Sequence, residues 1–490
     1  MEGVYIMNIL KDLQPNDVFK YFEEISQIPR GSGDEKRISD YLAKFGKDLG
    51  LETIQDEALN IIIKKPATKG YENAPTVILQ GHMDMVCEKN IDTVHDFTKD
   101  PLELKVDGDF IYANGTTLGA DNGIAIAYGM AILASNDIPH PNLELLVTTD
   151  EETGMSGAMA LNGEHLDGKI LLNLDSEEEG FFLVSCAGGV RTNVSLDIKW
   201  EETKENLRAL EISLRNLKGG HSGMEINKER GNSNKLMGRV LNALLENVDF
   251  SLAYINGGSK DNAIPRECDA LIVLEESNIE KVIEICKEFD LMFKNELEAN
   301  DKDVTVKVCE TLEIPNEVFS KDSTYKAIKI LNLIPNGVDT MSMAIKDLVQ
   351  SSTNLGIVET NNKSIIFKNA TRSSVGTLKE KIVKQTSDIA EVLGAKCEIA
   401  APYPEWQYNP KSKIRELCKK VYKDVTGEDA KIIAIHAGLE CGLLGEKIKD
   451  LDMISFGPNM FDVHTPNEHL SISSTMNVWK LLLEILKEIK

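Results

Sequence analysis

The sequence predicts an α/β fold interrupted by an α+β insertion, and three observations carry that expectation. Four short apolar runs end just before a histidine, a carboxylate or a loop holding one. They are Val77-Ile78-Leu79 before His82, Leu145-Leu146-Val147 before Glu151, Ile170-Leu171-Leu172 before Asp175, and Met453-Ile454 before the loop with His464. From about residue 190 the texture changes to alternating strands and amphipathic helices. After Trp406 the α/β character returns, and His464 has to come back to the site that His82 opens. At 490 residues the chain is too long for one compact core. The expected organisation is residues 1–188 and 407–490 as two parts of one catalytic domain, with 189–406 inserted as a lid.

At the N-terminus no basic region precedes an apolar stretch, which argues against a signal peptide, and Met7 is a second candidate start. Short apolar runs between helical stretches read as buried parallel strands. In an open α/β sheet, sites lie beyond the carboxyl ends of the strands, so the candidate residues converge on one edge. Between the first two runs, Ile124, Ala127, Tyr128 and Ala131 have helical spacing, with Asp121 where an N-cap belongs. In the insertion, strands are expected at 210–215 and 270–274 and helices near 232–247 and 278–298. A helix near 324–332, strands near 340–346 and 354–359, and a helix near 377–393 follow. Ser412–Thr426 then reads as a helix of the second catalytic segment.

A hydrophobic fraction of 42% describes an ordinary globular protein, and no run of eighteen apolar residues occurs. The formal net charge of −25 disfavours nucleic acid, which needs clustered Lys and Arg. Neither nucleic acid nor a membrane is expected as a partner. The eight cysteines are scattered singly, without a Cys-x-x-Cys pair, which fits a reducing cytoplasm.

The chemistry rests on a sparse set of side chains. His82-x-Asp84 at a strand end places an imidazole on a metal with a carboxylate behind it to fix the tautomer. In the doublet Glu151-Glu152, adjacent side chains point in different directions, so one can bind metal while the other faces a substrate. Asp175 ends so apolar a run that its carboxylate needs a partner. His464 lies in a turn rich in Pro and Asn. With Asp121, these are the parts of a two-zinc hydrolase. Two Zn²⁺ and a bridging hydroxide would be balanced by Asp121, Glu152 and Asp175, leaving Asp84 and Glu151 for orientation and proton transfer. A metal-bridging water would attack a polarised carbonyl while Glu151 takes the proton and delivers it to the leaving amine. Co²⁺ or Mn²⁺ would also suit such ligands. His95, His140, His165 and His469 are expected to be exposed, and His436 to lie near the site without binding metal.

Six motifs in order carry a resemblance that runs nearly end to end. They are Gly81-His-Met-Asp-Met-Val86, Thr117-Leu-Gly-Ala-Asp-Asn-Gly123, Thr149-Asp-Glu-Glu-Thr-Gly154, Leu174-Asp-Ser-Glu177, Gly219-Gly-His-Ser-Gly223 and His464-Thr-Pro-Asn-Glu468. The chain resembles the M20 metallopeptidases, in particular their aminoacyl-histidine dipeptidase or cytosolic non-specific dipeptidase (peptidase D) branch. The resemblance implies a two-zinc aminopeptidase-like catalytic domain, a mixed sheet flanked by helices, with an inserted α+β lid and dimerisation domain. It implies that Asp121 bridges two zinc ions, one completed by His82 and Asp175, the other by Glu152 and His464. Glu151 becomes the general acid and base, Asp84 the support of His82, and the Asp121-Asn122 peptide is implied to be cis. His221, Asn262 and Arg372 match lid positions that hold substrate, and Gly438-Leu-Glu440 resembles a late recognition loop, with Glu440 towards the substrate amine.

The implied activity is hydrolysis of unblocked dipeptides, including Xaa-His, by a cytoplasmic homodimer joined through the lid. A deacylase of the same family acting on N-acyl amino acids is one alternative. A non-catalytic metal-binding protein is another, and the presence of Glu151 argues against it.

Overall fold

Each apolar run is a buried strand in the structure, a computed structural model that describes residues 9–490. Met7 lies outside the described residues. The described residues form two compact units: those up to Ser185 with 408–434 and 439–490 make the first, and 186–407 with 435–438 the second. Ile435–Gly438, inside the expected second catalytic segment, therefore clusters with the insertion. The reason is local: Ala437 O accepts the Ala187 N–H at 3.0 Å, and Ser352 Oγ lies 2.7 Å from His436 Nε2.

The first unit is built on an eight-stranded mixed sheet. Its order is Glu52–Gln55, Ile61–Lys65, Leu143–Thr148, Val77–His82, Ile170–Asn173, Asp452–Ser455, Phe181–Cys186 and Lys431–Ile435. The four strands preceding candidate residues are consecutive and mutually parallel, pairing Val77 with Leu143 and Ile170, and Ile170 with Asp452. Their carboxyl ends therefore lie side by side, which is how residues far apart in sequence reach one edge.

The helix Ala120–Ala134 packs on the strand Val77–His82 and on the helix Asn16–Ser26. It is buried from Ala120 to Leu133, in keeping with a sequence that is apolar all round. Close approach depends on Gly81, where a Cβ would collide with Asn122 Oδ1 and come within 2.6 Å of the Ala125 Cβ. A small antiparallel sheet of Leu104–Asp107, Phe110–Ala113, His469–Ser471 and Met460–Phe461 carries the His464 loop.

The second unit has a nine-stranded sheet running from Thr305–Thr311 through Leu207–Arg215, Cys268–Glu275, Phe250–Gly257, Val349–Thr360, Ser364–Ser373 and Gly188–Asp197 to Lys396–Tyr403. Gly337–Met341 pairs alongside Val349–Thr360. The helices Ser233–Asn247, Ile279–Glu296 and Lys321–Leu333 bury Leu241, Phe293 and Ile328 in one core with the sheet residues Ile212, Ile272 and Phe367.

Two further expectations fail. The strand near 340–346 stops at Met341, because Ser342 Oγ accepts the Ala344 and Ile345 N–H groups and Asp347 turns to φ +61°. None of the four histidines expected at the surface is exposed: His95, His165 and His469 are half-buried, and His140 is buried, with its Nδ1 2.7 Å from Pro141 O.

Candidate metal centre

His82 is the last residue of its strand, 1% exposed, and its two nitrogens face different partners. Nδ1 lies 3.3 Å from Asp84 Oδ1, while Nε2 lies 3.2 Å from Asp121 Oδ1 and 3.5 Å from Asp175 Oδ1. Asp84 reaches further than its sequence position indicates. Its carboxylate also accepts the Glu151 N–H at 3.0 Å, the Glu152 N–H at 3.2 Å and the Ser32 hydroxyl at 2.8 Å. One buried acid thus aligns both the imidazole and the acidic doublet. His82 holds the Asp84 carboxyl down at about 2 against the upward push of burial.

Asp121 does not cap its helix. Its backbone is non-helical (φ −80°, ψ 106°), and its peptide bond to Asn122 is cis, as the resemblance implied. The Asn122 side chain fixes this turn, donating to Leu174 O at 2.9 Å and accepting the His82 N–H at 3.3 Å. The carboxylate of Asp121 faces His82 through Oδ1, and through Oδ2 it lies 3.1 Å from His464 Nε2. The same nitrogen is 2.9 Å from Glu152 Oε1.

Three overlapping groups result: His82, Asp121 and Asp175; Asp121, Glu152 and His464; and His82, Glu151 and Glu152. In each group, nitrogen and carboxylate oxygen atoms lie within 4.8 Å of one another. All seven residues expected at the metal and the base converge in the first unit. His464, whose side chain is 46% exposed, is their most accessible member.

The crowding is electrostatic. Burial lifts Glu151 to about 9 and Asp175 to about 7, with neighbouring carboxylates adding to the push against the opposing pull of His82. His464 is raised to about 10 by the carboxylates of Asp121, which it hydrogen-bonds, and of Glu152 beside it, and Asp121 is held low by His464 and His82 despite its burial. Glu152 Oε1 is buried and lacks a well-aligned hydrogen-bond donor even with His464 close by. Carboxylates in such excess, with a buried acceptor short of a donor, are a donor set that fits divalent cations.

Glu440 begins the helix Glu440–Lys447 in the same unit. Its Oε2 accepts Gln80 Nε2 at 2.6 Å and Thr148 Oγ1 at 2.7 Å, its Oε1 is buried without a partner, and burial lifts it to about 7. Gln80, Thr148 and Ser32 escaped the sequence reading, as did Arg30 and Glu468 beside the Asp121 loop. Two signals were present: Gln80 is a polar residue inside an apolar run, and Glu468 closes a quoted motif.

The second unit gathers a different set. Gly219 (φ +69°) and Gly220 (φ +147°) lead into His221, whose Nδ1 accepts the Met224 N–H at 3.0 Å. A Cβ at Gly223 would lie 3.0 Å from His221 Cε1, 3.2 Å from Arg372 Nε and 2.6 Å from His436 O, so these residues adjoin. Arg372 donates to the Tyr403 hydroxyl at 2.9 Å, and its Nε is buried without a partner. Asn262 O accepts the Ser222 N–H beside His221 at 2.9 Å, and Gly438 ends the segment held by Ala187 and Ser352. Burial, then the Arg372 charge, pushes His436 down to about 3.

The family model for Peptidase family M20/M25/M40 matches residues 78–488. The chain belongs to this family. It is 38% identical over 483 residues to the cytosol non-specific dipeptidase of Escherichia coli K12, covering 99% of each chain. The crystal structure of aminoacylhistidine dipeptidase from Vibrio alginolyticus superposes with a TM-score of 0.94 at 37% identity, covering 98% of each chain. That of aminopeptidase PepT from Bacillus cereus shares the fold at a TM-score of 0.56 and 16% identity, covering 97% of this chain and 99% of that one. No helix among the described residues is long and apolar enough to cross a membrane.

Proposed function

We propose that this M20 peptidase is a metal-dependent dipeptidase that hydrolyses unblocked dipeptides, Xaa-His among them. The observation that carries the reading is the convergence of His82, Asp121, Glu151, Glu152, Asp175 and His464 in one cluster of a chain similar end to end to a dipeptidase. His82, Asp121 and Asp175 would hold one ion, and Asp121, Glu152 and His464 the other, zinc in each case, with Co²⁺ or Mn²⁺ as substitutes. When bound, such ions polarise a carbonyl and acidify water.

The protein's own groups do the rest. Asp84 keeps the Nδ1 proton on His82 and leaves Nε2 free as a ligand. Glu151 removes the proton of the attacking water and returns it to the departing amine nitrogen. Glu440 is assigned to the substrate ammonium, its unpartnered Oε1 offering an acceptor. From the second unit, Arg372 is assigned to the free carboxylate through a two-pronged contact. His221, Asn262 and Gly438 are assigned to orienting the substrate. A homodimer formed through the second unit, working in the cytoplasm, completes the reading, and the name of the Escherichia coli relative supports the location.

The test is turnover of a panel after metal reconstitution: Xaa-His, β-Ala-His, Gly-Gly and Leu-Leu, with tripeptides and N-acetylated amino acids as controls. Cleavage of dipeptides but not the controls is expected. Hydrolysis of N-acetylated amino acids alone would show a deacylase instead.

A further inference from the structure

The loop Leu118–Asp121 is gripped from both sides by buried charges to which no role has been assigned above. On its N–H side, the Glu468 carboxylate accepts four backbone donors. Leu118 N at 2.7 Å and Gly119 N at 3.0 Å meet Oε2, while Ala120 N at 2.8 Å and Asp121 N at 3.4 Å meet Oε1. On its C=O side, the Arg30 guanidinium donates to Gly119 O. The same guanidinium donates to Met83 O at 2.9 Å and Asp84 O at 3.2 Å, the two residues that follow His82. Both ions are almost fully buried. Gly119, at φ +66°, leaves the space this needs, since a Cβ there would sit 2.5 Å from Arg30 Nη2.

Stability alone does not explain the arrangement. A helix start is ordinarily satisfied by a neighbouring Ser, Thr, Asn or Asp, and burying a full carboxylate costs several kcal/mol in desolvation. Here the anion comes from 350 residues along the chain, four positions after His464. The cation comes from the opposite direction in sequence and ties down the stretch after His82. Together they join three separate segments, and Asp121 sits where all three meet, 3.2 Å from His82 Nε2 and 3.1 Å from His464 Nε2.

We propose that Glu468 and Arg30 are positioning residues that hold the Asp121 carboxylate at a fixed place between His82 and His464. The inference rests on the two-ion reading of the cluster. Neither residue is assigned a contact with substrate. Their effect is transmitted through the Leu118–Asp121 backbone and, for Glu468, through its own short connection to His464.

The test compares wild type, Glu468→Gln and Glu468→Asp in the full chain, with His464→Ala as reference. Glutamine keeps the shape but replaces one accepting oxygen with a donor, which opposes two of the four N–H groups. In metal-free protein, amide hydrogen exchange at Leu118–Asp121 should accelerate at least ~10-fold in Glu468→Gln. Titration with Co²⁺, followed by visible absorption, should show both equivalents binding ~10–100-fold more weakly, because Asp121 is assigned to both ions, whereas His464→Ala should weaken mainly the second. Turnover should fall mainly in kcat, and Glu468→Asp should recover part of each effect. Should Glu468→Gln not fold, the cobalt titration and kcat of Glu468→Asp decide the matter by the same criteria. A variant that melts earlier yet keeps wild-type amide protection, cobalt affinities and kcat would overturn the proposal. Wild type that binds no cobalt would overturn the metal reading instead, and exchange and kcat would still decide the clamp.

Discussion

The two units treat histidine in opposite ways. In the first, carboxylates surround His82 and His464 and raise both, His464 to about 10. In the second, burial and the Arg372 charge push His221 down, and His436 to about 3. The first unit concentrates acceptors around a place that suits cations. The second concentrates Arg372, neutral imidazoles, hydroxyls and glycine backbone, a set that suits an anion. A dipeptide carries both demands, with a carbonyl to polarise and a free carboxylate to hold. On the proposed function, chemistry and recognition fall to two environments of opposite sign.

That division separates the effects of single substitutions. Glu151→Gln should lower kcat by about 10²–10⁴-fold while metal content and KM stay near wild type, measured by steady-state kinetics and elemental analysis. Equal loss of metal in that variant would make Glu151 a ligand, as its grouping with His82 and Glu152 also allows. Arg372→Ala should act on the other side, lowering kcat/KM by about 10²-fold, chiefly through KM, with little recovery in Arg372→Lys. Substrates amidated at the C-terminus should be insensitive to it.

The pH dependence of stability should carry the second unit's sign. His436 has its folded pKa near 3 against an ordinary 6.5, so the unfolded chain binds the extra proton between those values. The contribution is therefore complete above about pH 6.5 and declines as pH falls, by up to about 1.4 kcal/mol per unit, until about pH 3. Denaturant unfolding at several pH values should show this slope reduced in His436→Gln. The smallest expected effect is Ser32→Ala, which removes one hydroxyl donor from Asp84 and should cost about 1 kcal/mol of stability in the first unit, read by the same unfolding experiment.

Much of the first unit was legible because its signals are local. An apolar run ending in an acid or a histidine reports both a buried strand and a side chain at its carboxyl end. Parallel pairing of those strands then brings His82, Glu151 and Asp175 together without further information. The supports were illegible for the opposite reason. Arg30 reaches Gly119 across 89 residues, and Gln80 reaches Glu440 across 360, and neither spacing leaves a local pattern. The same holds for Asp84, whose bonds to the Glu151 and Glu152 N–H groups show only in three dimensions. Where local patterning misled, side chains competed with the backbone, as at Ser342, where hydroxyl hydrogen bonds ended an expected strand. His140 misled differently, since a polar sequence context concealed a buried ring.

The carboxylate-rich cluster of the first unit is proposed to hold divalent cations for dipeptide hydrolysis. The most direct measurement is titration of chelator-treated protein with Zn²⁺ or Co²⁺ while following Xaa-His hydrolysis and bound metal together. No turnover is expected without metal, and activity should rise with occupancy to a plateau near two equivalents per chain. Full hydrolysis by metal-free protein, or saturation with metal and no dipeptide cleavage, would contradict the proposal.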